Sequence, residues 1–233
     1  KKKIKQYQDE SFKLKYNINS KHKYFKYYDE KLNKKTMIRI VSELSILRSL
    51  PGEWDASILL TYDKKNINFM TFLITGPKDT PYHNGIFEFH LYCDNNYPKK
   101  PPKVLIETNG NGKVRFNPNL YAGEGKVCLS LLGTWSGEGA EVWNEKSNIL
   151  QVLNSIQSLI LVDEPYFNEP GWEQQMHSKS GQEKCFNYKD NIRLQTIIWA
   201  ISNQIKNPPR GFEKFVKDYF KMKKNEIIET TLG

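Results

Sequence analysis

From Lys34 to Leu50 the apolar residues recur at a helical interval. Met37, Ile40, Val41, Leu44 and Leu47 fall at i, i+3, i+4, i+7 and i+10 on one face, and Pro51-Gly52 ends the pattern. The period then shortens. "ASILLTYD", "INFMTFLITG", "IFEFHLYC" and "KVLIET" read as strands, joined through Lys64–Asn66, "PKDTPYHNG" and "DNNYPKKPP". Such connections predict a four-stranded antiparallel meander. From Asn109 to Lys146 the chain is irregular and rich in Gly and Asn, and a stretch of that kind inside a compact domain points to function. The helical period returns after Ser147, the expected N-cap, with Ile149, Val152, Leu153, Ile156, Leu159 and Ile160 as the expected buried stripe. "DEPYFNEPG" breaks that helix. A third runs from about Tyr188 to Ile205, with Ile192, Leu194, Ile197, Ile198 and Ile201 partly buried. Pro208-Pro209 stop it, and Phe212, Phe215, Val216, Tyr219 and Phe220 open a last helix. The order predicts an α+β fold with helices beside an antiparallel sheet.

Composition adds a core and a charge asymmetry. An apolar fraction of 38% with 13% aromatics excludes wholesale disorder. The sequence shows no transmembrane run, and "KKKIKQYQDE" lacks the apolar stretch of a signal peptide. The net charge of +9 is uneven: residues 1–35 hold twelve lysines against four acids, whereas residues 36–209 hold 17 basic and 18 acidic residues. Residues 1–33 are therefore read as a basic N-terminal extension, solvated or helical but outside the core. A basic, tyrosine-rich arm is suited to an anionic partner, but nucleic acid is not expected as the main one.

Three cysteines, Cys93, Cys128 and Cys185, are odd in number and widely spaced. No CxxC and no Cys/His pair has zinc-ligand spacing. Free thiols in a reducing compartment follow, cytoplasmic and/or nuclear. Cys128 stands apart, at the end of a turn carrying Gly123 and Gly125 and before a run of leucines. Local pattern alone leaves two readings open: a buried inert thiol, or a nucleophile on an exposed loop.

Four motifs, in order, carry a resemblance. "GPKDTPYHNGIFEF" (76–89) resembles the turn between the second and third strands of ubiquitin-conjugating enzymes. "YPKKPPKV" (97–104) resembles their Tyr-Pro-x-x-Pro-Pro signature. "NPNLYAGEGKVCLSLL" (117–132) resembles their His-Pro-Asn segment and the cysteine after it, and "WNEKSNILQVLNSIQSLI" (143–160) resembles the Trp and helix beyond. The resemblance spans about residues 34–205. It implies the ubiquitin-conjugating fold: N-terminal helix, four-stranded antiparallel meander, irregular active-site segment, then C-terminal helices. It makes residues 34–233 the catalytic domain. "VCLSLLGTW", the extended loop after it and "LILVDEPYFNEPGWE" look most like the large hybrid conjugating/ligase subgroup, which includes the giant inhibitor-of-apoptosis type. That subgroup likeness implies that this chain is one domain of something larger.

The resemblance also implies roles. Cys128 would carry ubiquitin as a thioester, accepted from an activating enzyme and passed to a lysine or a ligase cysteine. Asn119 would stabilise the oxyanion; the plainer reading is an Asx-type hydrogen bond that holds the turn, and the two roles can coexist. Asn117 stands where the family has His and is expected to brace the loop by one hydrogen bond to a backbone carbonyl. Ser130 stands where many members have an acid. Glu169 is the candidate lysine-orienting carboxylate, with Asp163 and Glu164 nearby. Glu138 and Glu141 make the loop "GTWSGEGAEVW" acidic, which suits a flap over the thioester, an acceptor-ubiquitin contact or a neutral surface insertion. Lys99 and Lys100 replace the apolar residue with which the family often docks ligases, so a separate ligase is left open. No cofactor and no metal are implied, since the upstream activating enzyme uses the ATP. A catalytically impaired ubiquitin-binding or scaffolding variant is the alternative, although such variants lose the cysteine. A cysteine hydrolase would need a paired histidine, and His22, His83, His90 and His177 lie in no such context.

Overall fold

Alternation in the four apolar runs produces one antiparallel sheet of order β1-β2-β3-β4: β1 (Ile58–Tyr62), β2 (Phe69–Thr75), β3 (Ile86–Tyr92) and β4 (Lys103–Ile106). The structure, a computed structural model, describes residues 2–14, 16–50, 52–136 and 142–232, so Glu138 and Glu141 lie outside the described residues. Register pairs Leu60 with Phe72, Phe72 with Phe89 and Phe89 with Ile106. Those residues share one face because side chains alternate along a strand. That inner face packs on α2 (Lys34–Leu47) and α3 (Ile149–Ser155) through Ile40, Leu44, Leu47, Val152 and Leu153.

α2 begins where the Asn33 side chain accepts from the Thr36 N–H at 2.9 Å. Its expected stripe splits. Ile40, Leu44 and Leu47 are buried, while Met37 and Val41 stay exposed. The buried side includes the Glu43 carboxylate instead. It accepts from Tyr97 Oη, from Arg39, and from the backbone N–H of Ile149 at 2.8 Å. Glu43 thereby ties α2 to the first turn of α3 and to the Tyr-Pro turn, and its charge lies at the positive end of α3. The N-cap of α3 is Asn148, not Ser147. Asn148 and Gln151 form a reciprocal capping box, and the Ser147 hydroxyl accepts from the Asn144 N–H instead.

α3 widens into a π-helical turn at Ile156–Ile160. α4 (Lys179–Gln195) starts nine residues earlier than its apolar pattern suggests, at the Ser178 cap, because its first turns are polar. It continues as a π-helical stretch, Thr196–Ser202, then α5 (Asn203–Lys206). That wide stretch lies on Gly85, where a Cβ would come within 2.9 Å of both Thr196 and Ala200.

The N-terminal segment departs from the expected solvated or non-core extension. It forms α1 (Lys2–Lys13), which buries Ile4, Tyr7 and Phe12 and turns lysines outward. Gln8 donates to the Ile58 carbonyl at 2.8 Å on the open edge of β1. Tyr16, Ile18 and Tyr24 then pack on Phe69 and Tyr92 from the outer sheet face. α6 (Glu213–Leu232) covers the rest, setting Phe215, Val216 and Tyr219 with Leu59, Leu73 and Ile86. The sheet is thus buried on both faces. The lysine content concealed this, because the apolar positions between the lysines are few and separated by polar ones. Among the described residues no helix is long and apolar enough to cross a membrane. Ile4 is fully buried, so Ile4→Ala should lower unfolding stability by about 3 kcal/mol in a denaturant titration. An unchanged midpoint would restore the solvated-arm reading.

Candidate active site

The described part of the irregular segment is held by isolated backbone bonds and by side chains. Gly125 lies at φ +85, and a Cβ there would meet the Ile106 carbonyl oxygen at 2.1 Å. This close approach lets the Ile106 N–H reach the Gly125 carbonyl at 2.8 Å, laying the chain before Cys128 along β4. Beyond Cys128, Thr134 closes the loop. Its hydroxyl donates to the Val127 carbonyl at 2.7 Å and accepts from the Leu129 N–H at 3.0 Å, so both neighbours of the cysteine are fixed.

Asn117 is fully buried and centres the other half. Its amide donates to the Ile160 carbonyl at 2.8 Å and to Asn168 Oδ1 at 3.2 Å, and its oxygen accepts from the Asn119 N–H at 2.7 Å. The backbone bracing expected of Asn117 is present. The Asx-type bond is also made, but by Asn117 to Asn119 and not by the Asn119 side chain. The Asn119 side-chain oxygen is buried with no partner among the described residues. Its backbone carbonyl accepts from the Cys128 N–H at 2.8 Å. Asn119 and Cys128 are therefore brought together.

Cys128 is recessed: the residue is 2% exposed. It nonetheless lines a cleft of about 330 Å³ with Asn119, Ser130, Trp135, Leu159 and Asn168. Leu159, expected in the core, is exposed here because it faces this opening. Burial pushes the Cys128 thiol above its ordinary value, and the Lys126 and Arg115 charges and a hydrogen bond from Tyr121 pull it part of the way back. Arg115 and Tyr121 are the residues that sequence reading missed. The Arg115 guanidinium sits 4.5 Å from the Tyr121 ring and donates to the Pro118 carbonyl at 2.6 Å. The signal was an Arg and a Tyr flanking "NPNL", but only folding brings them to the thiol.

Glu169 is placed elsewhere. It pairs with Arg115 at 3.2 Å and lines a separate groove with Trp172 and Tyr188. Its neighbour Asn168 reaches the cleft instead, held by a bond from its amide to the Leu159 carbonyl at 3.1 Å. Ser130 does line the cleft, its hydroxyl donating to the Ser136 carbonyl at 3.1 Å. Among the described residues lining the cleft there is no carboxylate.

Comparison with known proteins fits this geometry. The family described as ubiquitin-conjugating enzyme matches residues 39–196. The chain belongs to the ubiquitin-conjugating enzyme family. It is 48% identical over 186 residues to the human dual E2 ubiquitin-conjugating enzyme/E3 ubiquitin-protein ligase BIRC6, covering 79% of this chain and 4% of that protein. A probable ubiquitin-conjugating enzyme of Acanthamoeba polyphaga mimivirus is 46% identical over 185 residues, covering 79% of this chain and 13% of that protein. Probable ubiquitin-conjugating enzyme protein 17 of Caenorhabditis elegans is 44% identical over 192 residues, covering 82% and 26%. The chain thus spans about a quarter or less of the length of these relatives. The likeness to a dual conjugating and ligase enzyme agrees with the hybrid-subgroup resemblance.

Two outcomes test the site. Asn117→Ala should cost about 2 kcal/mol in thermal denaturation, because it strands the Asn119 N–H and the Ile160 carbonyl, and Asn117→His should recover part of that loss. Iodoacetamide alkylation of Cys128 should rise with pH through a midpoint above that of a free cysteine, and Lys126→Gln should move it higher. A midpoint below the free-thiol value would contradict the dominance of burial.

Proposed function

We propose that this family member is an active ubiquitin-conjugating enzyme, with residues 34–233 as its catalytic domain and the basic extension 1–33 bracing the sheet. Cys128 is the thioester nucleophile. Its thiolate attacks the ubiquitin thioester of an activating enzyme, a C–S bond forms at Cys128, and the activating enzyme's cysteine leaves as thiolate. An acceptor lysine amine then attacks the same carbonyl. A C–N bond forms, the Cys128 C–S bond breaks, and the amine's surplus proton passes to water. A ligase cysteine can take the lysine's place.

The observation that carries this reading is the Asn119–Cys128 pairing in an open cleft. The Cys128 N–H is tied to the Asn119 carbonyl, and the Asn119 side-chain oxygen accepts no turn-holding bond among the described residues. A neutral donor suits the oxyanion, because it adds no charge to repel a lysine. Asn117 and Ser130 support the loop. The lysine-orienting role of Glu169 is not retained, since Arg115 neutralises it outside the cleft. Trp135 and Leu159 on the cleft wall favour a neutral amine by desolvation instead. Exposed Lys99 and Lys100 in the Tyr-Pro turn favour an enzyme that does without the usual separate ligase. Three free thiols fit a reducing compartment, cytoplasmic and/or nuclear.

A charging assay with ubiquitin, activating enzyme and ATP tests the reading. The wild-type chain should form a thiol-reducible adduct that Cys128→Ala abolishes. Absence of the adduct would leave the scaffolding alternative. Asn119→Ala should still charge, but discharge onto free lysine about a hundredfold more slowly; an unchanged discharge rate would remove its oxyanion role.

A further inference from the structure

A second groove, of about 670 Å³, borders the Cys128 loop. The N-terminal segment supplies one wall through Lys23, Tyr24, Lys26 and Tyr27. The Tyr-Pro turn and β4 supply another, and Lys126 and Leu132–Thr134 of the Cys128 loop close it. Five lysines face two acids, Asp94 and Glu124. Lys103 is paired with Asp94 at 3.3 Å, and Lys23 with Glu107 at 3.2 Å. Lys26, Lys100 and Lys126 are exposed and, among the described residues, pair with no carboxylate. The remaining lining includes Tyr24, Tyr27, Pro101, Pro102 and Leu105, a rigid, largely apolar surface between the charges.

We propose that this groove binds an acidic segment of the protein acceptor and so selects substrates whose target lysine lies near a run of carboxylates. The inference rests on the acyl-transfer reading above and adds a substrate class to it. Three observations favour a peptide over a nucleic acid. Most of the excess positive charge lies in residues 1–35, while residues 36–209 carry 17 basic against 18 acidic residues and residues 210–233 carry six against four, so no broad basic face extends from the groove. The lining offers half-buried Tyr27, Pro101 and Leu105 for an extended chain to lie on. The groove shares Lys126 with the loop that holds Cys128, so a segment bound there stays close to the thioester. The wall at Lys23–Tyr27 also lies outside the residues that match the family, 39–196. The groove is therefore built partly from residues outside the span that matches the family.

The test uses the full chain, charged with ubiquitin and separated from the activating enzyme, with no ligase present. Three acceptors are compared in single-turnover discharge: free lysine, a lysine peptide flanked by glutamates, and the same peptide with serines. At low salt the acidic peptide should be modified roughly five- to tenfold faster than the serine peptide, from two or three surface ion pairs. The advantage should vanish in high salt, where the Debye length falls to about 3 Å. The Lys26→Glu/Lys100→Glu variant should lose the preference and keep the free-lysine rate. Binding of the fluorescent acidic peptide to the uncharged chain, read by anisotropy, should weaken to the same degree. Equal rates on the two peptides, or a preference that survives in the variant, would overturn the proposal. So would binding of a single-stranded oligonucleotide, lost in the variant, without binding of the acidic peptide. A chain that binds the peptide but never charges would refute the acyl-transfer reading and leave the groove's specificity standing.

Discussion

The Asn117 side chain donates to the Ile160 carbonyl at 2.8 Å and accepts from the Asn119 N–H at 2.7 Å, and the Asn119 carbonyl accepts from the Cys128 N–H at 2.8 Å. These bonds form a relay from the end of α3 to the cysteine. Its origin is a helix-end carbonyl, one of the acceptors that a helix leaves without an intrahelical partner. The buried amide satisfies it and uses its remaining acceptor to set the next turn. Being fully buried, Asn117 cannot exchange these partners for water, so the geometry is enforced by the penalty for leaving either end unpaired. The stretch from Asn117 to Cys128, with so little regular structure, is held in place for this reason.

The relay holds only if α3 is itself fixed, and Glu43 does that from the other end of the helix. A carboxylate buried in the core is tolerated because it has an ionic partner in Arg39, a phenol and a backbone N–H. The outer sheet face follows a similar rule. Closing it beneath the N-terminal segment requires burying His22 and His90, which stack with ring centroids 4.3 Å apart. Burial drives their pKa values down to about 3 and about 4, so both are neutral in the fold at neutral pH. Each is also hydrogen-bonded, His22 to the Met70 carbonyl and His90 to the Lys23 N–H. The N-terminal segment is thereby registered on the sheet by specific polar contacts as well as by apolar area.

Much of this was legible in the chain because it depends on local period. The four strands, their order and α2 all follow from alternation and turn residues, and the motif around Cys128 was readable as a unit. What was not legible depends on distance. Arg115 lies thirteen positions before Cys128 and acts on it only because Gly125 folds the intervening turn back against β4. In "FNEPG" the acid drew the eye, but the helical turn at 165–168 points Asn168 to the cleft and leaves Glu169 to Arg115. Leu159 fits a helical stripe, yet the wide turn at 156–160 shifts the face and presents it to the cleft. The docking of α1 was hidden by charge, since lysine stems crowd the same segment as its three buried apolar residues.

One consequence joins the thiol to the cleft around it. A thiol held above its usual pKa is a scarcer thiolate at neutral pH, but each thiolate is the stronger nucleophile and the poorer leaving group. Under the thioester reading this favours retention of the acyl group until an acceptor is in place. Once Cys128 is acylated it has no charge to interact with Arg115 and Lys126. Arg115 is paired with Glu169 and Lys126 faces the neighbouring groove, so among its described residues the cleft offers an ammonium no stabilising charge and leaves a neutral amine unaffected. Trp135 and Leu159 work in the same direction by removing water. A carboxylate in the cleft would partly cancel both effects by stabilising the ammonium, so an uncharged Ser130 and Asn168 are consistent with the surroundings this cysteine has. The departures at 117 and 130, with Asn168 beside them, then belong to one design, in which amides and hydroxyls set geometry and no charged side chain lines the cleft among the described residues.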